Sequence, residues 1–306
     1  MDLTEHKQSL YRNKYFYLLT LIFFSVSSIS QEKNIIIKSA GSFDRNQSLY
    51  PDGNILNESE NKKVHLTHDN MDIFSKKSIF FQKRNSFIAT GNVHVQQGDS
   101  INLFCDSLNY DGLTKKFSSY GSVKFINDEM ELNSNVLFFD RNSNEIYFNK
   151  NGKIIDSVST IKSKEGKYFI DKKKYEFKEN VIVENPDYKI RSNMMDYFLS
   201  SEITLFYKFS TIITDDYTIF CNEGFYDPQK KIGVFKKDAK VNSETRTIFG
   251  DSIFFDENKK YASASRNIKI IDEKENLIIK GEYAEVFEEL DSALITKNPV
   301  AINITK

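Results

Sequence analysis

Proline and glycine are scarce, 4 and 12 in a chain of 306 residues, so little interrupts the abundant Phe (26), Tyr (16) and Ile. Such residues fit a pleated, half-buried surface, and high strand content is expected. Neither sign of charge dominates: 42 Lys+Arg against 43 Asp+Glu leave a formal charge of -1. The whole-protein field therefore gives no reason to expect nucleic acid as a partner. Catalytic signatures are missing too, with no Gly-x-Ser-x-Gly, phosphate loop, Cys-x-x-Cys or Gly-Gly-x-Gly-x-Asp calcium repeat. His65 and His68 are the one close histidine pair, and their spacing of three puts them on opposite faces of a strand. They read as exposed strand histidines and not as zinc ligands, so neither a metal nor a cofactor is expected, and the chain does not read as an enzyme.

Long hydrophobic runs are absent after residue 26. The single early run, Tyr15 to Val26, follows Lys7, Arg12 and Lys14 and precedes the small-x-small sequence Ser28-Ile29-Ser30. That pattern reads as a secretory signal over residues 1–30, cleaved after export, with an uncleaved N-terminal anchor as the second reading. The run is short for a membrane span. Residues 31–60, rich in Ser, Asn, Asp and Glu, show no pattern and are expected to form a flexible lead-in.

From there a unit of 29 residues recurs. Stepping by 29 from Tyr110 reaches Phe139, Tyr168, Tyr197, Tyr226 and Phe255, then Val286 after a two-residue insertion. The same step from Leu103 gives Leu132, Ile161, Ile190, Ile219, Ile248 and Ile279, and from Cys105 it gives only small residues: Ser134, Ser163, Ser192, Cys221, Gly250 and Gly281. Upstream of each copy lies a second alternating stretch, as in Gly91-Asn92-Val93-His94-Val95, Gly121-Ser122-Val123, Glu179-Asn180-Val181-Ile182-Val183 and Arg266-Asn267-Ile268. Period-2 alternation is the mark of a strand with one buried face, so each unit carries two strands. Turn formers punctuate them: Asp111-Gly112, Asp140-Arg141-Asn142, Asp227-Pro228 and Asp256-Glu257-Asn258. With an imperfect copy near Leu66 and a half-unit from Pro299 to Ile304, the count is about sixteen strands. Units this small must stack to bury their apolar face. The expected domain is residues 61–306, which two stacked copies, about 61–190 and 191–306, would also describe.

The repeat bears on the cysteines. Cys105 and Cys221 share a column four units apart. At about 4.8 Å per strand their Cα atoms lie at least ~19 Å apart, against a disulfide limit near ~7 Å, and no intrachain bridge is expected.

Two sets of residues are candidates for function. Val93, Val95, Leu108, Tyr110, Leu137, Phe139, Val181, Val183, Met195, Tyr197, Tyr226, Ile253 and Phe255 would face inward, lining either an apolar trough or a closed core. Lys115, Lys116, Lys172, Lys173, Lys230, Lys231, Lys259 and Lys260 follow the aromatic column and would form a basic rim, to contact phosphates or simply to protect strand edges. The Asp111, Asp140, Asp227 and Asp256 column is explained by turn chemistry.

Ala89-Thr90-Gly91-Asn92-Val93 and the ending Asp106-Ser107-Leu108-Asn109-Tyr110-Asp111, with later copies at Gly121-Ser122-Val123 and Asp251-Ser252-Ile253-Phe254-Phe255-Asp256, resemble the OstA-like, or LptA, family of periplasmic lipopolysaccharide-transport proteins. The likeness runs from about residue 64 to the end, with degenerate copies between Ile146 and Lys237. It implies an all-β, elongated, twisted β-jellyroll (a β-taco) that carries lipid A acyl chains in a groove across the periplasm toward the outer membrane. It also implies partners among the Lpt components of the inner and outer membranes and head-to-tail self-association through edge strands. A structural or adhesive β-solenoid with a closed core is the alternative.

Overall fold

The computed structural model describes residues 34–303; the segment read as a secretory signal and the last residues of the C-terminal half-unit lie outside them. The described chain is one antiparallel sheet of 26 strands, each long strand pairing with its neighbours in sequence. Ser86–Gln97 pairs with Ile101–Asp111, which pairs with Lys116–Ile126, which pairs with Glu131–Asp140, and the meander continues to Val300–Asn303. Antiparallel neighbours need only short turns, and the aspartates supply them. Asp111 Oδ1 accepts from the amides of Leu113 and Thr114, Asp140 from Asn142, Asp227 from Lys230 and Asp256 from Lys259.

Each pass of the chain bends at its middle. Register shifts fall between Thr90 and Val93, Phe104 and Ser107, Lys178 and Val181, Lys236 and Ala239, and Ser265 and Ile268. Aligned across the sheet, these shifts form a crease that folds it into two leaves. The aromatic column lies in one leaf and the aliphatic column in the other. Their contact shows the folding directly. Phe125 and Phe117 sit on one strand, where an extended chain would separate them by about 26 Å. Yet the Phe125 ring is 6.2 Å from Phe139, the cross-strand partner of Phe117. Tyr217 on Phe255 (4.7 Å) and Tyr188 on Tyr226 (6.0 Å) repeat the cross-leaf contact farther along.

The crease explains two sequence patterns. On six of the eight alternate passes from Ser86–Gln97 onward it carries two consecutive left-handed residues: Gly91-Asn92, Gly121-Ser122, Glu179-Asn180, Lys237-Asp238, Arg266-Asn267 and Lys297-Asn298. Gly and Asn reach that conformation at the least steric cost, hence their recurrence there. On the intervening passes the crease falls beside the small column, from Cys105 and Ser134 to Gly250 and Gly281, where the leaves converge and leave no room for bulk. The alternating stretch read from Gly91 is the second half of a longer strand, which begins at Ser86 and passes through the crease.

Eight passes are broken in two at the crease, as at Glu145–Phe148 with Gly152–Ile155, so the 26 strands amount to 18 passes where about sixteen were expected. The excess comes from the stretch read as a flexible lead-in. Ile36–Ser39, Ser42–Arg45 and Asn54–Asn57 are strands, the first pairing with Val64–His68 and the last with Lys77–Phe81, because Ile35 and Leu56 are buried in the common core. At position 190, where two stacked copies would meet, Lys189–Phe198 runs through with full pairing to Lys174–Glu184. Cys105 and Cys221 are buried free thiols eight passes apart, and burial pushes both up to about 12.

Candidate functional site

Alternation turns every second side chain of both leaves inward, and the sandwiched interior collects them into one apolar cluster. All the inward candidates are there: Val93, Val95, Val181 and Val183 from the aliphatic leaf, and Leu108, Tyr110, Leu137, Phe139, Met195, Tyr197, Tyr226, Ile253 and Phe255 from the aromatic leaf. Rings run along it in stacks, Tyr110 on Phe117 at 4.5 Å, Tyr168 on Tyr175 at 4.3 Å, and Tyr175 beside Phe177 at 5.2 Å. The side chains are packed; between Val241, Ile248, Phe255 and Val286 the remaining void is about 10 Å³.

The interior is bounded differently on its two long sides. One is the crease, closed by the chain itself. The other is a mouth, where the turns of the aromatic leaf face those of the aliphatic leaf. Polar contacts bridge it at intervals. Lys115 Nζ lies 3.0 Å from Asp69 Oδ2. Arg141 donates to Gln97 Oε1, the Tyr110 hydroxyl and Asn70 Oδ1 at 3.1, 3.1 and 3.2 Å. Lys173 pairs with Glu129. Glu202 accepts from the Tyr188 hydroxyl (2.7 Å) and Asn185 Nδ2 (3.2 Å), Glu288 from the Tyr217 hydroxyl (2.5 Å), and Asp291 from Arg246 and Lys274. We refer to this row as the clasp.

Its electrostatics follow from partial burial beside charge. Burial raises the Asp69 carboxyl, but the Lys115 hydrogen bond and the charges of His68, Lys115 and Arg141 outweigh it and hold it below the usual carboxylate range. Lys274 donates to Asp291 and, with Arg246, lowers it as well. Burial raises the Tyr188 phenol, and Tyr197 and Glu202 raise it further. Burial and Glu288 do the same to Tyr217, so these hydroxyls remain donors to their carboxylates.

The lysines considered for a rim lie in or beside the turns of the aromatic leaf, and most of them are engaged. Lys115 and Lys173 belong to the clasp, Lys116 pairs with Asp140, Lys230 with Asp227, Lys231 with Glu257 and Lys259 with Asp256, while Lys172 lies over the Phe169 ring at 5.3 Å. Lys115, Lys173, Lys231 and Lys260 take the left-handed position that ends each turn. The two histidines face opposite sides of their strand, but only one is outward, where both were expected to be exposed. His65 faces outward and pairs with Asp72 at 2.7 Å. His68, however, is buried, with Nδ1 2.7 Å from the Tyr110 hydroxyl. The alternation Val64, Leu66, His68 held that signal, since it puts all three on one face. Arg141, the most connected clasp residue, carried none. It stands in a polar turn like any other.

Comparison with known proteins completes the description. The family model described as OstA-like protein matches residues 32–193, more than half of the chain. That match starts in the supposed lead-in, some 30 residues before the visible resemblance, as the strands found there warrant. No curated protein matches the chain. Among solved structures, a match is the crystal structure of LptH, described as the LptA-homologous periplasmic component of the lipopolysaccharide transport device of Pseudomonas aeruginosa. It is 9% identical, with 48% of this chain and 95% of that one covered and a TM-score of 0.24, a likeness too loose to bear on fold or function.

Proposed function

The chain belongs to the OstA-like family, and from that membership and its sandwiched apolar interior we propose that it is a periplasmic lipopolysaccharide-transport protein holding lipid A acyl chains between its leaves. The observation that carries the reading is the asymmetry of the interior: a continuous apolar core, covalently closed at the crease and fastened at the mouth by separable polar contacts alone. Acyl chains enter when the clasp parts, and displace ring-to-ring contact with ring-to-methylene contact of similar apolar character. Once the mouth is open, the lysines along it stand where phosphates of the head group emerge, and Lys115, Lys173 and their neighbours exchange carboxylate for phosphate.

Such a protein works by binding and relay, without covalent chemistry. No helix among the described residues is long and apolar enough to cross a membrane, and export would follow from the residues 1–30 signal. Its partners would be other Lpt components of the two membranes, or a second copy, joined by strand addition to the last pass, where Leu294, Val300 and Ile302 are exposed on an edge.

A photocrosslinking residue at Leu137 or Met195, inside the slot, should capture lipopolysaccharide, and one at the exposed outer position Arg191 should not. The packed interior also favours a second reading, a structural or adhesive solenoid with a permanently closed core. Folded protein that captures no lipid at either interior position would establish that reading and sink the first.

A further inference from the structure

The sheet has a hollow on its outer face, away from the slot. At residues 149–151 a pass is interrupted without the paired left-handed residues found on other creases, and the strand resumes at Gly152. The Phe148 ring occupies the space that side chains on Gly152 and Gly166 would need, so both positions require glycine. Small residues at Ser134, Gly152 and Ser163 leave the crease without bulk, and a groove of about 640 Å³ opens on the solvent side. That volume lies within the range of small-molecule sites, about 300–1,000 Å³.

The groove is strongly one-sided in charge. Lys124, Lys150, Lys153, Lys162 and Lys164 line it, and no carboxylate does. Three of these lysines are tied to carboxylates just outside: Lys124 to Glu131 at 2.7 Å, Lys162 to Glu184 at 3.5 Å and Lys164 to Glu179 at 2.6 Å. Lys150 and Lys153 have no ion pair among the described residues. Between the cations stand neutral polar groups. The exposed side-chain amides of Asn135, Asn151 and Asn180 line the groove, and the Ser163 hydroxyl lining it is buried with no partner among the described residues. Native proteins seldom leave a buried hydroxyl unsatisfied, because its lost hydration is not replaced.

We propose that this hollow is a binding site for a phosphorylated sugar, with the phosphate on Lys150 and Lys153 and the ring hydroxyls on the asparagine amides. Lysine ammonium groups are phosphate ligands, and an array of amides and hydroxyls between them suits a polyhydroxylated ring. Lys124, Lys153 and Lys162 alternate with the buried Val123, Ile154 and Ile161 and so stand on the outer face of the sheet. Titration calorimetry of the protein with glucose 6-phosphate, glucose and inorganic phosphate tests it. Glucose 6-phosphate should bind at least tenfold more tightly than either fragment. The Lys150→Glu, Lys153→Glu double variant should weaken that binding at least tenfold, with unchanged circular dichroism and unchanged acyl-probe binding. A Lys259→Glu, Lys260→Glu variant, on the mouth, should leave it unaltered. Inorganic phosphate binding as tightly as the sugar phosphate would reduce the hollow to an unselective anion patch, and an unaffected Lys150, Lys153 variant would overturn the site.

Discussion

The crease and the mouth bound the same slot, yet they are built from opposite materials. At the crease the closure is backbone: left-handed pairs such as Gly121-Ser122 and Glu179-Asn180, with small residues on the passes between. At the mouth it is side chain: Lys115 on Asp69, Arg141 on Gln97 and Asn70, Glu202 on Tyr188, each half-exposed or at a turn. Backbone closure cannot be undone without unfolding, whereas the more exposed ion pairs of the mouth, such as Lys173 with Glu129, are individually worth little, about 0–1 kcal/mol. The comparison teaches that one long side of the interior is fixed by backbone, while the other is held by polar side-chain contacts alone.

The largest effect should come from the crease. Gly121 has φ +75°, and a side chain there would overlap that of Asp106. Gly121→Val should lower stability by about 2–3 kcal/mol in urea unfolding while leaving the rate of acyl-probe uptake unchanged. A silent Gly121→Val would break the distinction, because the crease would then be no fixed hinge. Next comes the clasp. Replacing Asp69, Glu129 and Glu202 together by Asn, Gln and Gln should cost about 1 kcal/mol of stability and speed acyl-probe uptake several-fold in stopped-flow fluorescence. Uptake no faster than in the parent protein would mean that the polar row does not gate the slot.

The smallest effect is reached without mutation. The carboxyls of Asp69 and Asp291 are lower in the folded protein than their ordinary value. Their contribution is therefore complete above the unfolded value, about 3.9, and is lost as the pH falls through the lower folded one. Probe uptake measured from pH 7 downward should be flat until about pH 4 and rise below it. A flat profile to pH 3 with the fold intact would sharpen the comparison by transferring gating to the glutamate contacts.

The sequence made one of these boundaries partly visible and concealed the other. Columns such as Tyr110, Phe139 and Tyr168 were legible because strand alternation and short aspartate turns are local rules. The crease was half legible. Gly91-Asn92 was noticed, but only as the head of an alternating stretch, because a left-handed pair interrupts the alternation on its other side. The clasp was not legible at all. Arg141 and Asn70 are 71 positions apart, as are Tyr217 and Glu288, and no periodicity joins them. The early strands were missed for a different reason. Asn54–Asn57 buries one side chain, Leu56, too few for an alternation to declare itself.

The meander has a consequence for evolution as well as for folding. Every pass beyond the first bonds to the one before it, across a turn of a few residues, so contacts close locally and the sheet can lengthen like a zip from any nucleus. Duplicating one 29-residue unit would insert two strand spacings, about 10 Å, and leave the cross-section untouched. Chain length is thus a ruler for span, adjustable by gene duplication in steps that need no redesign of the interior.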